Sequence, residues 1–284
     1  MVGTKIDGLV VSSAVREQVK KDAEHLKSQG IQPCLATVLV GDNPASATYV
    51  RNKQKACAEV GIKTKDHKLP STVTQSELNS LVDTLNKDSE VHGILVQLPL
   101  PTQCNEFETT SRILPTKDVD GLTPQNAGLL AMKKAVLKAC TPSGVIELLQ
   151  YYSIPVEGKN TLIINRSNLV GKPLIHLLLE KNATVTVAHS KTKNLIDVCK
   201  SADIIITGVG DRTKFKLTKE MICEGAVVID VATTRLDGKL VGDCDFDDII
   251  QKASFASPVP GGVGPMTIAM LLKNTVTAAG YGRN

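Results

Sequence analysis

The sequence predicts an α/β fold: two doubly wound domains with a cleft between them. Three observations point to it. Short β-branched or apolar runs alternate with helical patterns through most of the chain, the rhythm of parallel strands joined by helices. The runs are apolar on both alternating faces, as Cys34–Val40 and residues 204–206 show, which suits strands covered on both sides. A turn-rich stretch at residues 115–142 breaks the rhythm, which then restarts, and 284 residues fit two domains of ordinary size.

The elements follow in order. Residues 34–40 read as a strand and 44–60 as a helix stopped by Gly61. A second strand covers 62–69, a helix 74–87 and a third strand 92–98, ending in the run Leu98 to Pro101. Pro115, Gly121, Pro124, Gly128 and Pro142 punctuate the next segment, read as a hinge. A linking helix at 143–152 leads into a strand at 160–165, a helix at 171–181, a strand at 183–188 and a helix at 193–201. Strands at 203–207, 226–231 and 253–257 complete the series. Beyond Pro265, apolar residues at 268, 271, 272, 276 and 279 mark a C-terminal helix, with Thr267 as a suitable N-cap. The expected division is residues 1–142, joined by the helix 267–284 packing back on them, and residues 143–266.

Composition narrows the function classes. The net charge of +4 comes from basic residues spread along the chain, so the basic stripe with interleaved aromatics of a nucleic-acid binder is missing. The apolar runs are strand length, far short of the roughly 20 residues that span a bilayer, and residues 1–7 carry neither a secretory nor a mitochondrial pattern. The cytoplasm is the expected location. Seven cysteines at 34, 57, 104, 140, 199, 223 and 244 form no CxxC or CxxH pair, so no metal site is expected and they read as small buried apolar residues in a reducing compartment. Aromatic residues are 3% of the chain, with no Trp, so stacking surfaces are scarce.

The segment 162–173 has the layout of a strand, a polar turn and a helix start, where a dinucleotide pyrophosphate sits on free backbone N–H groups. The usual glycines are replaced by Asn165, Ser167 and Val170, and a plain strand-to-helix turn has the same pattern. The next strand ends at His189, Ser190 and Lys191, with no carboxylate for the ribose 2′-hydroxyl of NAD. Arg166 and Ser190, with Lys191, could hold a 2′-phosphate instead, which makes NADP the expected cofactor of a Rossmann-like second domain. Tyr49 and Lys53 stand i, i+4 on the helix at 44–60 and share one face.

Several stretches together resemble one family, the bifunctional methylenetetrahydrofolate dehydrogenase/methenyltetrahydrofolate cyclohydrolases. They are residues 40–46, 49–53 with 55–62, 92–101, the Lys117-Asp-Val-Asp-Gly121 loop, 189–192 and the run Ser257 to Thr267 with its Pro-Val-Pro-Gly-Gly-Val-Gly-Pro core. The resemblance implies oxidation of 5,10-methylenetetrahydrofolate with NADP and hydrolysis of the methenyl product to 10-formyltetrahydrofolate. It also implies a homodimer, tetrahydrofolate one-carbon derivatives as substrates, folate in the cleft and NADP on the second domain. Tyr49 corresponds to the ring that stacks on folate, Lys53 to the proton-handling residue, Gln97 to its positioning partner and Asp120 to the carboxylate that meets the pterin N–H groups. Pro260, Gly261 and Gly262 correspond to the folate side, where glycine allows close backbone approach. Asn165, Arg166, Ser167, Ser190, Thr233 and Thr267 correspond to the cofactor side; His189 reads as structural or cofactor-side, and Asp118 as a residue that holds its turn.

Three positions depart from the family pattern. Asn165 stands where glycine is usual, and asparagine tolerates the left-handed conformation. Ala232 stands for a glycine and Thr233 for an apolar residue near the cofactor. Two alternatives therefore accompany the main reading: a cyclohydrolase with an impaired dehydrogenase, and a non-catalytic folate-binding subunit.

Overall fold

The computed structural model describes residues 2–281. In chain order the elements are β1 Thr4–Lys5, α1 Gly8–Ser28, β2 Cys34–Val40, α2 Pro44–Glu59, β3 Lys63–Leu69, α3 Gln75–Lys87, β4 Gly93–Val96, α4 Glu106–Ser111, α5 Pro124–Ala131 and α6 Cys140–Tyr151. They continue with β5 Asn160–Ile164, α7 Gly171–Leu179, β6 Thr184–Ala188, α8 Leu195–Lys200, β7 Ile204–Thr207, β8 Val227–Asp230, β9 Thr234–Leu236, β10 Lys239–Val241, α9 Phe246–Ile249, β11 Phe255–Ala256 and α10 Val263–Gly280.

The chain divides into two compact units, with boundaries inside α1, at the start of α6 and inside α10. The small-sheet unit comprises Ala14–Cys140 and the chain from Ile268 onward. Its parallel sheet has the order β3-β2-β4, so β2, followed first by β3 and then by β4 on its other side, borders a topological switch point. Every residue of β2 and β4 is buried, while the edge strand β3 is only half-buried and alternates charged and polar residues, which blunts the edge. Leu78, Val82 and Leu85 of α3 lie in one core cluster with Ala36, Val38, Ile94 and Val96. Thr74 caps α3 through a reciprocal pair: its hydroxyl accepts from the Glu77 N–H, and Glu77 accepts from the Thr74 N–H.

The large-sheet unit comprises the chain up to Ser13 and Thr141–Thr267. Its six parallel strands run β1-β11-β8-β7-β5-β6, and the switch point lies between β5 and β7. Leu162, Ile164, Ile205 and Val228 from three of those strands join one aliphatic core with Cys199 and Ile249. Among the described residues, ring–ring packing centres on Tyr152, which meets Tyr151 and Phe255 edge-on at 5.4 and 6.2 Å.

The structure corrects several expectations. Residues up to Ser13 lie with the large sheet, because β1 adds an edge strand by pairing Thr4 with Phe255. Helix α1 had no counterpart in the sequence reading, although Val11, Val15, Val19 and Ala23, all buried, repeat every fourth residue. The turn-rich segment contains α5, capped by Thr123 with Pro124 in its first turn. Helix α10 starts at Val263, with Pro265 in the tolerated first turn, so Thr267 lies inside it and is no cap. The hairpin β9–β10 turns at Asp237 and Gly238, both at positive φ, and the Asp-Gly pair was its signal.

Leu78 is fully buried in α3. Replacing it with Ala is expected to cost about 2–5 kcal/mol, and Thr74→Ala about 1 kcal/mol, read as shifts of the urea midpoint at unchanged slope.

Candidate functional site

In the small-sheet unit, four of the singled-out side chains lie at the carboxyl ends of the strands. Helix α2 crosses from β2 to β3 and carries Tyr49, half exposed, one turn before Lys53, which is partly buried. Gln97 follows β4 directly; its N–H still pairs with Val38, which holds it in the sheet register. The Lys53 Nζ donates to Gln97 Oε1 at 3.1 Å, and the Gln97 Nε2 donates to the Leu98 carbonyl at 2.7 Å. The amide is thus oriented with its oxygen toward the lysine. It offers an acceptor without the negative charge that would fix the ammonium.

Asp120 stands on the loop that follows a single bridge between Ile94 and Asp118. Burial pushes its carboxyl pKa up, opposed by the positive charge of Lys53 and by a hydrogen bond with Cys140, and reinforced by Asp118. Asp118 builds the loop. Its carboxylate accepts from the N–H groups of Gly121, Leu122 and Thr123 and from the Asn126 Nδ2, which gives the turn-holding role a definite geometry. Gly121 sits at φ +69, and a Cβ there would lie 2.4 Å from the Ala139 nitrogen, so only glycine fits.

Two residues of this environment carried no functional assignment. Cys140 is buried against Asp120, and burial first, then the Asp120 charge, pushes its thiol well up. Asn274 of α10 donates to the Val119 and Lys138 carbonyls at 2.8 Å each and so ties down the backbone on both sides of the loop. A lone Asn within an apolar helical stripe was the available signal.

In the large-sheet unit, Asn165 ends β5 at the switch point. Its Nδ2 donates to the Gly208 carbonyl just beyond β7. Its Oδ1 accepts from the Ser167 N–H at 2.8 Å, the Ser167 hydroxyl at 2.8 Å and the Gly171 N–H at 3.0 Å. Asn165 is not among the residues at positive φ, so the turn survives through its side chain and not through a left-handed backbone. Arg166 is exposed and makes no hydrogen bond or ion pair among the described residues, and Ser190 is likewise exposed at the end of β6. His189 closes the neighbouring turn: its Nδ1 accepts from the Lys191 N–H and its own N–H donates to the Thr192 hydroxyl, a structural use.

Thr233 is exposed at the base of the β9–β10 hairpin. Before it, Ala232 is buried, lies outside the positive-φ set and donates its N–H to Asp230 Oδ1 at 3.0 Å, so the turn needs no glycine. Thr267 shares a 2.9 Å hydroxyl contact with Thr141. Pro260 is exposed, whereas Gly262 is buried with its Cβ direction blocked by the Pro258 carbonyl at 2.5 Å, and the Gly261 carbonyl accepts from Gly8. Gly262 therefore serves close packing of the chain's own backbone, whereas Gly261 supplies a positive φ of +99 with open space where a Cβ would stand.

The family model described as tetrahydrofolate dehydrogenase/cyclohydrolase, catalytic domain, matches residues 6–120, and that of the NAD(P)-binding domain matches residues 139–282. The chain is 72% identical to the bifunctional protein FolD of Nitrosopumilus maritimus, over 98% of this chain and 97% of the relative. Among solved structures, it resembles the FolD methylenetetrahydrofolate dehydrogenase/cyclohydrolase of Campylobacter jejuni with TM-score 0.94 and 48% identity, covering 97% of this chain and 98% of that one. It also resembles the Trypanosoma brucei methylenetetrahydrofolate dehydrogenase-cyclohydrolase, solved with NADP cofactor and an inhibitor, with TM-score 0.91 and 38% identity, covering 98% and 97%.

Asp230, next to Ala232, has a carboxyl pushed up to about 6, mainly by burial. Between the ordinary carboxylate range and that value the folded protein holds a proton that the unfolded chain has released. Stability from this group therefore falls as pH rises through that window, by about 3 kcal/mol in total. Asp230→Asn removes the titration. Urea denaturation should show the wild type gaining up to about 3 kcal/mol on the variant between pH 7 and pH 4; a constant difference contradicts the assignment.

Proposed function

Because the chain belongs to the tetrahydrofolate dehydrogenase/cyclohydrolase family, we propose that it oxidises 5,10-methylenetetrahydrofolate with NADP and hydrolyses the methenyl product to 10-formyltetrahydrofolate. The observation that carries this reading is the Lys53–Gln97 hydrogen bond, with the Asp120 carboxyl within electrostatic reach of the same lysine. The small-sheet unit is assigned the folate and the large-sheet unit the cofactor.

In this reading the exposed Tyr49 ring stacks on the pterin side of the folate, a contact worth about 0.5–1.5 kcal/mol beyond its burial. Asp120 accepts from the pterin N–H groups, which compensates for the desolvation of its carboxylate. NADP, when bound, takes up the hydride that leaves the methylene carbon. Water then adds to the methenyl carbon, and Lys53, held by Gln97, accepts and relays the proton that the water gives up as the bond to N5 breaks. The carbon stays on N10 as a formyl group, and one proton is released.

The large-sheet unit fits the cofactor on its own geometry. The switch-point crevice lies between Asn165 and Gly208, the Asn165 side chain orders the turn into α7, and Arg166 and Ser190 are exposed with no side-chain partner among the described residues, as donors for a 2′-phosphate would need to be. The unstrained Ala232 turn favours the two-step reading over hydrolysis alone. The free thiols, five buried and two half-buried, fit a reducing compartment and support a cytoplasmic location; the homodimer rests on family resemblance.

Two variants test these roles. Lys53→Met should slow hydrolysis of methenyltetrahydrofolate by about 100-fold or more; a wild-type rate removes the lysine from the mechanism. Arg166→Ala should weaken NADP by about 10- to 100-fold while NAD changes little, read as KM in the absorbance assay for reduced nicotinamide. Equal losses for both cofactors would remove the phosphate contact.

A further inference from the structure

Asp243 lies outside every motif considered so far, two residues beyond the end of β10, and is fully buried. A buried carboxylate is costly unless it is fully hydrogen-bonded. Here three donors surround it, and all come from the segment that ends β7: the Thr207 hydroxyl at 2.7 Å, the Val209 N–H at 2.6 Å and the Gly210 N–H at 3.0 Å. Thr207 is itself held in the sheet between Ile164 and Asp230, and its carbonyl accepts from the Val231 N–H at 2.8 Å. Beyond Thr207, the contacts toward β5 are the Gly208 N–H, which donates to the Ile164 carbonyl at 3.3 Å, and the Gly208 carbonyl, which accepts from the Asn165 Nδ2.

The hydrogen bonds form one continuous path. Asp243 fixes the backbone on either side of Gly208, Gly208 orients the Asn165 amide, and the Asn165 oxygen gathers the Ser167 and Gly171 N–H groups at the start of α7. Asn165 can present its oxygen to that turn only while its nitrogen has a carbonyl to face. If Gly208 moves, the amide loses the partner that sets which way it points.

We propose that Asp243 is a positioning residue for the cofactor turn, acting through Gly208 and Asn165 on the geometry that binds the NADP phosphates. The inference rests on the reading that this unit binds NADP. The β9–β10 hairpin thereby acquires a role, since it is the connection that returns the chain from Asp230 to place Asp243 beneath the β7 loop.

The test measures NADP binding by calorimetry and methenyltetrahydrofolate hydrolysis in the same preparations of full-length protein. Wild-type protein must bind NADP; if it does not, the cofactor reading fails before the inference is reached. In Asp243→Asn an amide N–H replaces an acceptor opposite backbone donors, and NADP should bind about tenfold or more weakly while hydrolysis stays within about twofold. Thr207→Val, which keeps the carboxylate, should weaken NADP by about threefold and guards against a folding defect in the first variant. Asn165→Ala combined with Asp243→Asn should bind NADP no more than about threefold worse than Asn165→Ala alone, because both act along one path. Unchanged NADP affinity in Asp243→Asn and Thr207→Val, parallel loss of NADP binding and hydrolysis, or multiplicative losses in the double variant would each overturn the proposal.

Discussion

Each unit depends on one neutral amide side chain placed at a topological switch point. Gln97 ends β4 beside β2, and Asn165 ends β5 beside β7. At such a point the crossover connections leave in opposite directions, and the carboxyl ends of two strands open onto a crevice. An amide suits that place because it both donates and accepts. Gln97 uses its nitrogen to anchor itself to Leu98 and turns its oxygen to Lys53; Asn165 anchors its nitrogen to Gly208 and turns its oxygen to the α7 turn. Neither brings a charge. Among the described residues, the Lys53 Nζ then has the Gln97 oxygen and no carboxylate as its hydrogen-bond acceptor, and the Asn165 side chain adds no negative charge to its turn.

Around these amides the buried acids do the structural work. Asp118, Asp230 and Asp243 are each buried and each collect backbone N–H groups from loops at strand ends. A loop at the carboxyl end of a sheet has N–H groups with no ladder partner, and a carboxylate satisfies several of them at once. Asp120 differs from the other acids: the residue as a whole is only half-buried, burial raises the pKa of its carboxyl, and it leaves its loop's backbone to be held by Asp118 and Asn274.

The sequence made the parallel strands legible because both of their faces are covered, so β2, β4, β7 and β8 read as uninterrupted apolar runs. Lys53, Gln97 and Asp120 were legible only as members of motifs, since a Lys on a helix with Arg51 and Lys55 resembles an ordinary solvated face. Helix α1 is hard to read from the sequence because its buried stripe is made of small Val and Ala residues and its first turn exposes Leu9 and Val10. The roles of Asn274 and Asp243 could not be read locally. Their partners lie 155 and 34 positions away, at Val119 and Val209, and only the fold brings them together.

The neutrality of the Lys53 partner is the claim on which the hydrolytic half rests. It is tested most directly by the pH dependence of methenyltetrahydrofolate hydrolysis in Gln97→Glu, which exchanges an amide acceptor for a carboxylate at nearly constant shape. The account predicts a rate at neutral pH lower by about tenfold or more, recovering as pH rises, because the added charge holds the lysine proton. A wild-type rate and profile would contradict it.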